Sequence, residues 1–365
     1  MKKILFVASE FAPGMIPFAA TVINTLAEDE RFEVYAICVN SSRHSYTGII
    51  NGKAHPRFIE YPESKMLKLI YKFWPFKIIE SIGKTRKDIK PDVIHFLTGD
   101  FTLASYIRLK GNDKFYYTVH DLHPHEVKTT SLLEKLIFKD IVWGYRKCRD
   151  SISNLTTSSL SQLDELKKMY PRKKCKYTSF PTLVTPKIQN GNKIAPELKN
   201  IDNYILFFGS INEYKGVNLL IEAFEKSKIS ANMKLVIAGK GMDYDVHSKN
   251  VLKINRFIDD DEIASLFKHA SLVVYPYISA TMSGVLSIAY YFNKLILASD
   301  ISFFKDNATD SVLFFKAGDV KNLQYQMENI MAHKECYKPD AASYKRIYGT
   351  MALADSYWKL YNEEL

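Results

Sequence analysis

The sequence predicts an α/β fold of two doubly wound, parallel-sheet domains. Short apolar runs alternate with helical patterns along both halves of the 365-residue chain, as they do in buried parallel sheets. A turn-rich stretch, residues 180–203, separates the two series and is typical of a linker. We therefore expect one domain over residues 1–185, a second over residues 186–340, and a C-terminal helix over residues 341–365 that packs back on the first domain.

The order of the predicted elements locates the candidate sites. In the first domain we expect strands at 4–9, 32–39, 93–97, 115–119 and 151–157, with helices at 18–27, 102–109, 132–148 and 161–169. In the second we expect strands at 204–208, 234–238, 251–254, 272–275, 295–298 and 312–315, with helices at 217–227, 260–269, 283–292 and 319–331. Ligands of such folds bind beyond the carboxyl ends of the strands, so the loops there are the candidate sites.

Composition narrows the classes of partner. The formal net charge of +10 suits nucleic acid, anionic lipid or a phosphorylated small molecule. The sequence contains no nucleic-acid-binding motif, so we do not expect nucleic acid as a partner. The four cysteines are scattered without a CxxC pair, which predicts a reducing, cytoplasmic setting and no structural metal. No apolar run approaches the roughly 20 residues of a membrane span, so we expect a soluble chain or one peripheral at the inner face of the membrane.

Residues 65–90 combine positive charge with aromatic side chains. The segment holds eight lysine or arginine residues against two acidic ones, with Tyr71, Phe73, Trp74 and Phe76 among them. A basic amphipathic segment with aromatic residues suits an anionic membrane surface. The alternative is a solvated helix whose aromatic side chains face the core.

Residues 273–300 predict a strand, a turn of small residues, a helix and a second strand. The turn ends at Ser283 and Gly284, where a helix N-terminus would offer unpaired N–H donors and partial positive charge. Such a terminus suits a phosphate group. The alternative is an ordinary helix N-terminus that Ser283 caps.

A second candidate loop follows the first strand of the second domain. It spans residues 209–216, begins at Gly209 and carries Lys215 just before a predicted helix. A lysine in that place can join the helix dipole in holding a phosphate. The alternative is a surface lysine in a loop. A separate acidic run, residues 259–262, falls at a helix start and predicts capping rather than a metal site.

Several motifs together resemble family 4 of the glycosyltransferases, which has the GT-B fold. The matching segments are GSINEYKGVNLLIEAF (209–224), LVIAGKG (235–241), RFIDDDEIASLF (256–267) and residues 275–300, with a looser match at TVHD (118–121). The resemblance implies two Rossmann-like domains facing a central cleft, with a nucleotide-sugar donor held by the second and an acceptor bound by the first. It also implies retention at the anomeric carbon and neither a metal nor a cofactor.

The resemblance assigns binding roles to loops of the second domain. The implied diphosphate contacts are Gly209, Ser210, Asn212, Lys215, Ser283, Gly284 and Val285. The implied nucleotide contacts are Gly239, Arg256, Phe257 and Ile258. Of all these residues, Lys215 is the one that the resemblance implies in catalysis.

The chain departs from the family pattern in two places. The arginine that usually accompanies the lysine is replaced, because Ser210 and Asn212 occupy those positions. The paired glutamates of the family are also missing, and Ala280 and Ile288 take their places. A subgroup with a Ser-Gly-Val loop lacks these acids, and residues 283–285 resemble it. Backbone N–H groups of this loop would then bind the phosphates.

In the first domain the resemblance implies an acceptor side. The implied contacts are Gly14, Met15, His120 and Asp121. His120 follows an apolar strand and would bind the donor sugar or position the acceptor, as the second catalytic residue. The alternative is a structural histidine whose ring is satisfied by the backbone.

The leading hypothesis is a retaining glycosyltransferase in surface polysaccharide biosynthesis. Its donor would be a UDP- or GDP-linked sugar, and its acceptor a glycan, expected to be lipid-linked. One alternative is a nucleotide-sugar epimerase of the same fold, which would need acids and histidines placed for proton transfer. Another is a degenerate relative that serves as a scaffold or binding protein in a glycan-assembly complex, as the lost motif residues suggest.

Overall fold

The computed structural model describes residues 1–9, 15–42, 44–73, 75–98, 115–123, 132–199 and 201–363. The chain forms two compact units. The first contains residues 1–181 and 350–365, and the second contains residues 182–349. Each is built on a parallel sheet covered by helices, which is the Rossmann-like arrangement that the alternating pattern predicts.

The first unit is built on a sheet of seven parallel strands. They are β1 (Lys2–Ala8), β2 (Phe32–Asn40), β3 (Pro56–Glu60), β4 (Val93–Thr98), β5 (Phe115–Thr118), β6 (Asn154–Thr157) and β7 (Lys174–Tyr177). Their order in the sheet is β3-β2-β1-β4-β5-β6-β7. The chain therefore winds outward from β1 in both directions, as in doubly wound folds.

The second unit is built on a sheet of six parallel strands. They are β8 (Tyr204–Phe208), β9 (Lys234–Ala238), β10 (Val251–Ile254), β11 (Ala270–Tyr275), β12 (Ile296–Ser299) and β13 (Val312–Phe315). Their order is β10-β9-β8-β11-β12-β13. The chain reverses direction between β8 and β11, and at such a switch point the loops after the two strands border a crevice. These are the two loops that the sequence predicts as phosphate sites.

Helices cover both sheets. Within the described residues, the earlier helices of the first unit are α1 (Met15–Ala27), α2 (Lys65–Phe73), α3 (Phe76–Ile89), α4 (Leu132–Ser151) and α5 (Leu160–Met169). Those of the second unit are α6 (Pro186–Gln189), α7 (Val217–Lys226), α8 (Asp260–Lys268), α9 (Val285–Tyr291), α10 (Ser302–Asp306), α11 (Val320–Ala332) and α12 (Ser343–Tyr348). The chain ends in α13 (Thr350–Tyr361), which belongs to the first unit.

Strand β1 shows how the first unit is layered. Ile4 and Phe6 pack with α1 and α13, whereas Leu5 and Val7 pack with α2, α3, α4 and α5. Successive side chains of a strand point to opposite faces of the sheet, so an uninterrupted apolar run supplies both cores. The helices consequently form two layers, one on each face.

The C-terminal residues form two helices, so the prediction of a single helix over residues 341–365 is wrong. α12 ends at Tyr348, Gly349 has an extended backbone, and α13 begins at Thr350. A β-carbon at Gly349 would lie 2.3 Å from the carbonyl oxygen of Lys345, so a larger residue does not fit at this break. α12 packs against α9 within the second unit, and α13 packs against α1 within the first. The second unit thus extends to residue 349, beyond the boundary expected at residue 340.

Strands β3 and β7, which form the two edges of the first sheet, lie outside the predicted set. Both are short and interleave charged residues with apolar ones, so neither contains the apolar run that identified the central strands. The strand expected at 151–157 begins only at Asn154, because α4 continues to Ser151. The helix expected at 102–109 lies outside the described residues.

The segment expected as a linker folds onto the second unit after residue 181. Thr185 donates a hydrogen bond from Oγ1 to Oδ2 of Asp260 at 2.8 Å, and α6 packs against α8. The predicted capping role of the acidic run is confirmed, because Asp259 and Glu262 form a capping box at the start of α8. None of the described helices is long and apolar enough to cross a membrane.

Candidate functional site

Three of the predicted phosphate-binding residues converge at the carboxyl edge of the second sheet. Gly209, directly after β8, has a φ angle of +142°, a conformation that suits glycine. A β-carbon at Gly209 would lie 3.4 Å from Nζ of Lys215 and 3.5 Å from Cγ1 of Val285. The same point is 3.9 Å from the hydroxyl of Tyr277. The loops after β8 and β11 therefore meet around Gly209, as the sheet order requires.

Lys215 is buried, with 6% of its surface exposed. It ends a short 3-10 turn, Glu213–Lys215, and Gly216 follows in the left-handed conformation. Within the described residues, no carboxylate forms an ion pair with its ammonium group. A cation removed from water without a counterion is costly, so this geometry favours an anionic ligand.

Close approach of backbones brings the neighbouring loop into the same site. Gly239, directly after β9, has a φ angle of +150°. A β-carbon there would lie 1.8 Å from the carbonyl oxygen of Gly209, so only glycine permits this contact. Gly239 therefore lets the loops after β8 and β9 pack together, and the structure assigns it a backbone role at the site.

The Ser-Gly-Val loop begins α9 without a side-chain cap. Gly284 is the N-cap residue, so the alternative of a helix capped by Ser283 is wrong. Ser283 instead lies with Oγ 3.5 Å from the hydroxyl of Tyr277. Ser287 holds the turn, because its hydroxyl donates to the carbonyl oxygen of Gly284 at 2.7 Å and accepts from the N–H of Leu183 at 3.1 Å.

The residues that replace the family's charged groups are neutral and differ in exposure. Ser210 and Asn212 are exposed, and the amide of Asn212 donates to Oγ of Ser210 at 3.3 Å. Ile288 is buried in α9. A cleft of about 170 Å³ opens next to the loop, lined among others by Asn212, Glu213 and Met242. The region around Lys215 therefore presents polar side chains but no second cation from these positions.

The predicted nucleotide contacts follow β10. Arg256 makes paired hydrogen bonds of 2.8 and 2.8 Å to Glu197 and of 2.8 and 2.9 Å to Glu262. These contacts lower the pKa of both glutamates and engage the guanidinium within the unit. Phe257 is 74% exposed, whereas Ile258 is buried. Arg256 thus ties the loop to the start of α8, and Phe257 presents an aromatic face to solvent.

In the first unit, His120 follows β5 at the carboxyl edge of the sheet. Its Nε2 donates to the carbonyl oxygen of Leu97 at 2.7 Å, and its ring packs edge-on against Phe18 with centroids 4.6 Å apart. Burial lowers the pKa of His120 to about 4, so the ring is neutral at pH 7 and Nδ1 carries a lone pair. Nδ1 is buried and has no hydrogen-bond partner among the residues described. An unsatisfied acceptor is costly, which favours a hydroxyl donor from a ligand.

The remaining acceptor-side residues are less informative. Met15 begins α1, and Asp121 accepts a hydrogen bond from the N–H of His123 at 3.1 Å. Gly14 lies outside the described residues. His95 is fully buried between the hydroxyl of Tyr361 and that of Thr118. Its position in this network indicates a structural role.

Comparison with known proteins agrees with this architecture. Residues 190–346 match the family model described as glycosyl transferases group 1. HepE of Anabaena, solved with UDP and glucose, is similar with a TM-score of 0.66 and 12% identity over 100% of both chains. The lipopolysaccharide outer core galactosyltransferase WaaB is similar with a TM-score of 0.64 and 12% identity over 100% of both chains. The UDP-GlcNAc 2-epimerase from Neisseria meningitidis is similar with a TM-score of 0.57 and 13% identity over 99% of this chain and 98% of the other. No curated protein sequence matches the chain.

These findings define the class of protein. At such low identity the solved structures establish the fold, which is GT-B with two Rossmann-like domains. The group 1 match covers most of the second unit, where Lys215 and its neighbouring loops lie. The chain is therefore a GT-B glycosyltransferase.

Proposed function

We propose that this glycosyltransferase is a member of family 4 that uses a UDP- or GDP-linked sugar and transfers it with retention. The observation that carries the proposal is the buried Lys215 ammonium, which lies beside Gly209 and Val285 without a carboxylate partner in the described part of the second unit. A site built around such a cation is complementary to a diphosphate. The UDP found with HepE supports a nucleotide donor.

The chemistry needs positive charge more than it needs a nucleophile. As the bond between the anomeric carbon and the phosphate oxygen breaks, negative charge develops on the diphosphate, and Lys215 stabilises it. The acceptor oxygen bonds to the anomeric carbon on the same face, and its proton passes to the leaving diphosphate. This front-face displacement balances without a covalent enzyme intermediate, which agrees with the neutral residues Ala280 and Ile288 at the family's acidic positions.

His120 is the proposed binding residue of the first domain. Its Nδ1 accepts a hydrogen bond from a hydroxyl of the donor sugar or of the acceptor, because Leu97 holds the proton on Nε2. Met15 and Asp121 follow the same edge of the sheet and belong to the proposed acceptor side.

Exposed apolar side chains on the first unit support a lipid-linked acceptor. α2 and α4 both lie in the layer on one face of the first sheet. Among the described side chains of these helices, the exposed large apolar ones are Met66, Leu67, Ile70, Leu132, Leu136 and Trp143. Exposed lysines of the same helices include Lys68, Lys135 and Lys139. Apolar and basic side chains together suit the surface of an anionic membrane, where a lipid-linked glycan would be found. Such an acceptor would place the enzyme in surface polysaccharide biosynthesis at the inner face of the membrane.

Replacing Lys215→Ala tests the proposal. Loss of a group that stabilises transition-state charge typically lowers turnover by about 10²–10³-fold. We expect a loss of that size in transfer from UDP- or GDP-sugars to lipid-linked acceptors. Lys226→Ala is the matched control, because Lys226 lies on the next helix and pairs with Glu222 on the surface. Equal transfer by the Lys215→Ala variant and the wild type would contradict the assignment.

Two other functions make different predictions. A degenerate scaffold protein, favoured by the lost acids at Ala280 and Ile288, would bind neither UDP nor GDP in calorimetry. An epimerase would convert a nucleotide sugar in the absence of any acceptor, which product analysis would detect. Donor binding together with strictly acceptor-dependent product formation supports transfer over both.

A further inference from the structure

Two tyrosine rings surround the ammonium group of Lys215. Nζ lies 5.0 Å from the ring centroid of Tyr277 and 5.9 Å from that of Tyr214. The two rings meet edge to face, with centroids 6.3 Å apart and planes at 87°. An ammonium group within about 6 Å of a ring centroid is attracted by the ring quadrupole. Neither ring contact was expected from the sequence.

The backbone holds the two tyrosines in this arrangement. The N–H of Ile278 donates to the carbonyl oxygen of Tyr214 at 2.7 Å, which joins the loop after β8 to the loop after β11. Tyr277 is fully buried, and its ring packs against Phe304 with centroids 5.1 Å apart. Its carbonyl oxygen accepts from Oγ of Ser299 at 2.6 Å. The ring of Tyr277 is therefore fixed in position before any ligand binds.

Rings and carboxylates hold a lysine with different consequences. A carboxylate would neutralise the ammonium and compete with a phosphate for it. An aromatic ring stabilises the cation without cancelling its charge, because the ring itself is neutral. Lys215 has ring contacts and no carboxylate partner in the part of its unit that the structure describes. Its full charge therefore remains available at the carboxyl edge of the sheet.

We infer that Tyr214 and Tyr277 form a tyrosine clamp that positions Lys215 and keeps its charge free for the donor diphosphate. The inference rests on the proposed function and adds two positioning residues to it. The clamp acts through Lys215, so the tyrosine rings need not touch the substrate. It takes over the placement of the lysine in a chain that has Asn212, Ala280 and Ile288 where the family has charged residues.

Ring fluorination at position 277 tests the clamp in the full-length protein. Tyr277→Phe is the reference for the series, because it removes the hydroxyl near Ser283 and keeps the ring and its quadrupole. Adding one, two and then three ring fluorines to that phenylalanine withdraws charge from the ring face while hardly changing its size. We expect UDP affinity in calorimetry to fall stepwise, by roughly three- to thirty-fold across the series. Uridine, which has no phosphate, should bind equally well to every variant.

Position 290 provides the matched control for fluorination. Tyr290 is buried in α9, and its ring packs against Tyr348 rather than against a cation. The same fluorinated series in place of Tyr290 should leave UDP affinity unchanged. In a Lys215→Met background the dependence on fluorination at position 277 should also disappear, because the two residues are coupled.

The outcomes separate the clamp from the proposed function. If the wild type binds neither UDP nor GDP, the nucleotide-donor proposal fails. If the wild type binds GDP but not UDP, the same series is measured with GDP and guanosine. A flat response at position 277 in a protein that binds the nucleotide overturns the clamp alone. An equal fall for the nucleoside and the diphosphate also overturns it, because a general loss of folding or of pocket shape would then explain the effect.

Discussion

At the scale of single residues, burial keeps two histidines of the first unit neutral. His95 lies within β4 and His120 follows β5, and burial lowers their pKa values to about 3 and about 4 respectively. The ring of His95 bonds to Tyr361 at 2.6 Å and to Thr118 at 2.9 Å, which joins α13 to the sheet. Both rings are therefore neutral in the folded protein at pH 7, whereas an unfolded histidine titrates near 6.5.

Acid should destabilise the chain through these two residues. Below pH 6.5 the unfolded chain binds a proton on each imidazole and the folded unit does not. The free energy of unfolding therefore decreases as the pH is lowered. The expected loss is about 1.4 kcal/mol per pH unit for each histidine until its folded pKa is reached. Urea unfolding at pH values between roughly 5 and 6.5 measures this slope, because these values lie between the pKa of the histidines in the folded state and that in the unfolded state. The slope reports how many more protons the unfolded state binds than the folded state, and His95→Gln should lower that number by about one. An unchanged slope in that variant would show that His95 is protonated in the fold.

The convergence of Gly209, Lys215 and Val285 was predictable from the sequence, because each follows the carboxyl end of a recognisable apolar strand. The role of Arg256 was not, since Glu197 approaches it from a distant part of the chain. The contact of Tyr277 with Lys215 could not be predicted from the sequence for a related reason. A tyrosine after a strand is common, and only the three-dimensional distance to Nζ of Lys215 distinguishes it.

At the scale of elements, the donor loop depends on contact with the segment that precedes β8. A β-carbon at Gly284 would lie 1.9 Å from Cδ1 and 2.4 Å from Cγ of Leu183. Leu183 is held there because its N–H donates to Oγ of Ser287 in α9. The start of α9 is thus shaped by a residue that the sequence alone would assign to the linker.

Gly284→Ala should therefore destabilise the second unit by steric overlap. Overpacking of this kind typically costs about 1–3 kcal/mol, which a lowered denaturation midpoint would reveal. The backbone angles of Gly284, −78° and −2°, suit any residue, so the effect should come from packing alone. The double variant Gly284→Ala with Leu183→Ala should recover most of the loss caused by the added methyl group, relative to Leu183→Ala alone. Purely additive effects in that cycle would refute the contact.

Central elements were easier to predict than edges. β1, β8 and β11 each contain a continuous apolar run, because each strand is covered on both faces. β3 and β7 pair on one side only and keep charged residues, so their sequences resemble loops. The break at Gly349 was also missed, because the aromatic pattern of the C-terminal residues continues across it while the two helices pack on different units.

At the scale of the whole molecule, the net charge of +10 and the exposed apolar side chains both favour an anionic membrane surface as a partner. The sequence predicted a membrane-binding segment at residues 65–90, but it did not indicate that α4 belongs to the same surface. Leu132 and Leu136 of α4 are 78% and 63% exposed. With α2 they extend the apolar and basic surface across one helical layer of the first unit.

The full-length protein should float with vesicles that contain phosphatidylglycerol and not with vesicles of phosphatidylcholine alone. Each lysine near an anionic surface contributes about 1 kcal/mol to binding, and this attraction weakens as salt is added. The double variant Leu132→Ser with Leu136→Ser should bind less well, because it removes apolar area from the surface while keeping every charge. Met351→Ser is the control, since Met351 is 74% exposed on α13, in the layer on the opposite face of the first sheet. Equal flotation of the double variant and the control would exclude α4 from the membrane surface, and binding that ignored lipid charge would exclude the electrostatic contribution of the lysines.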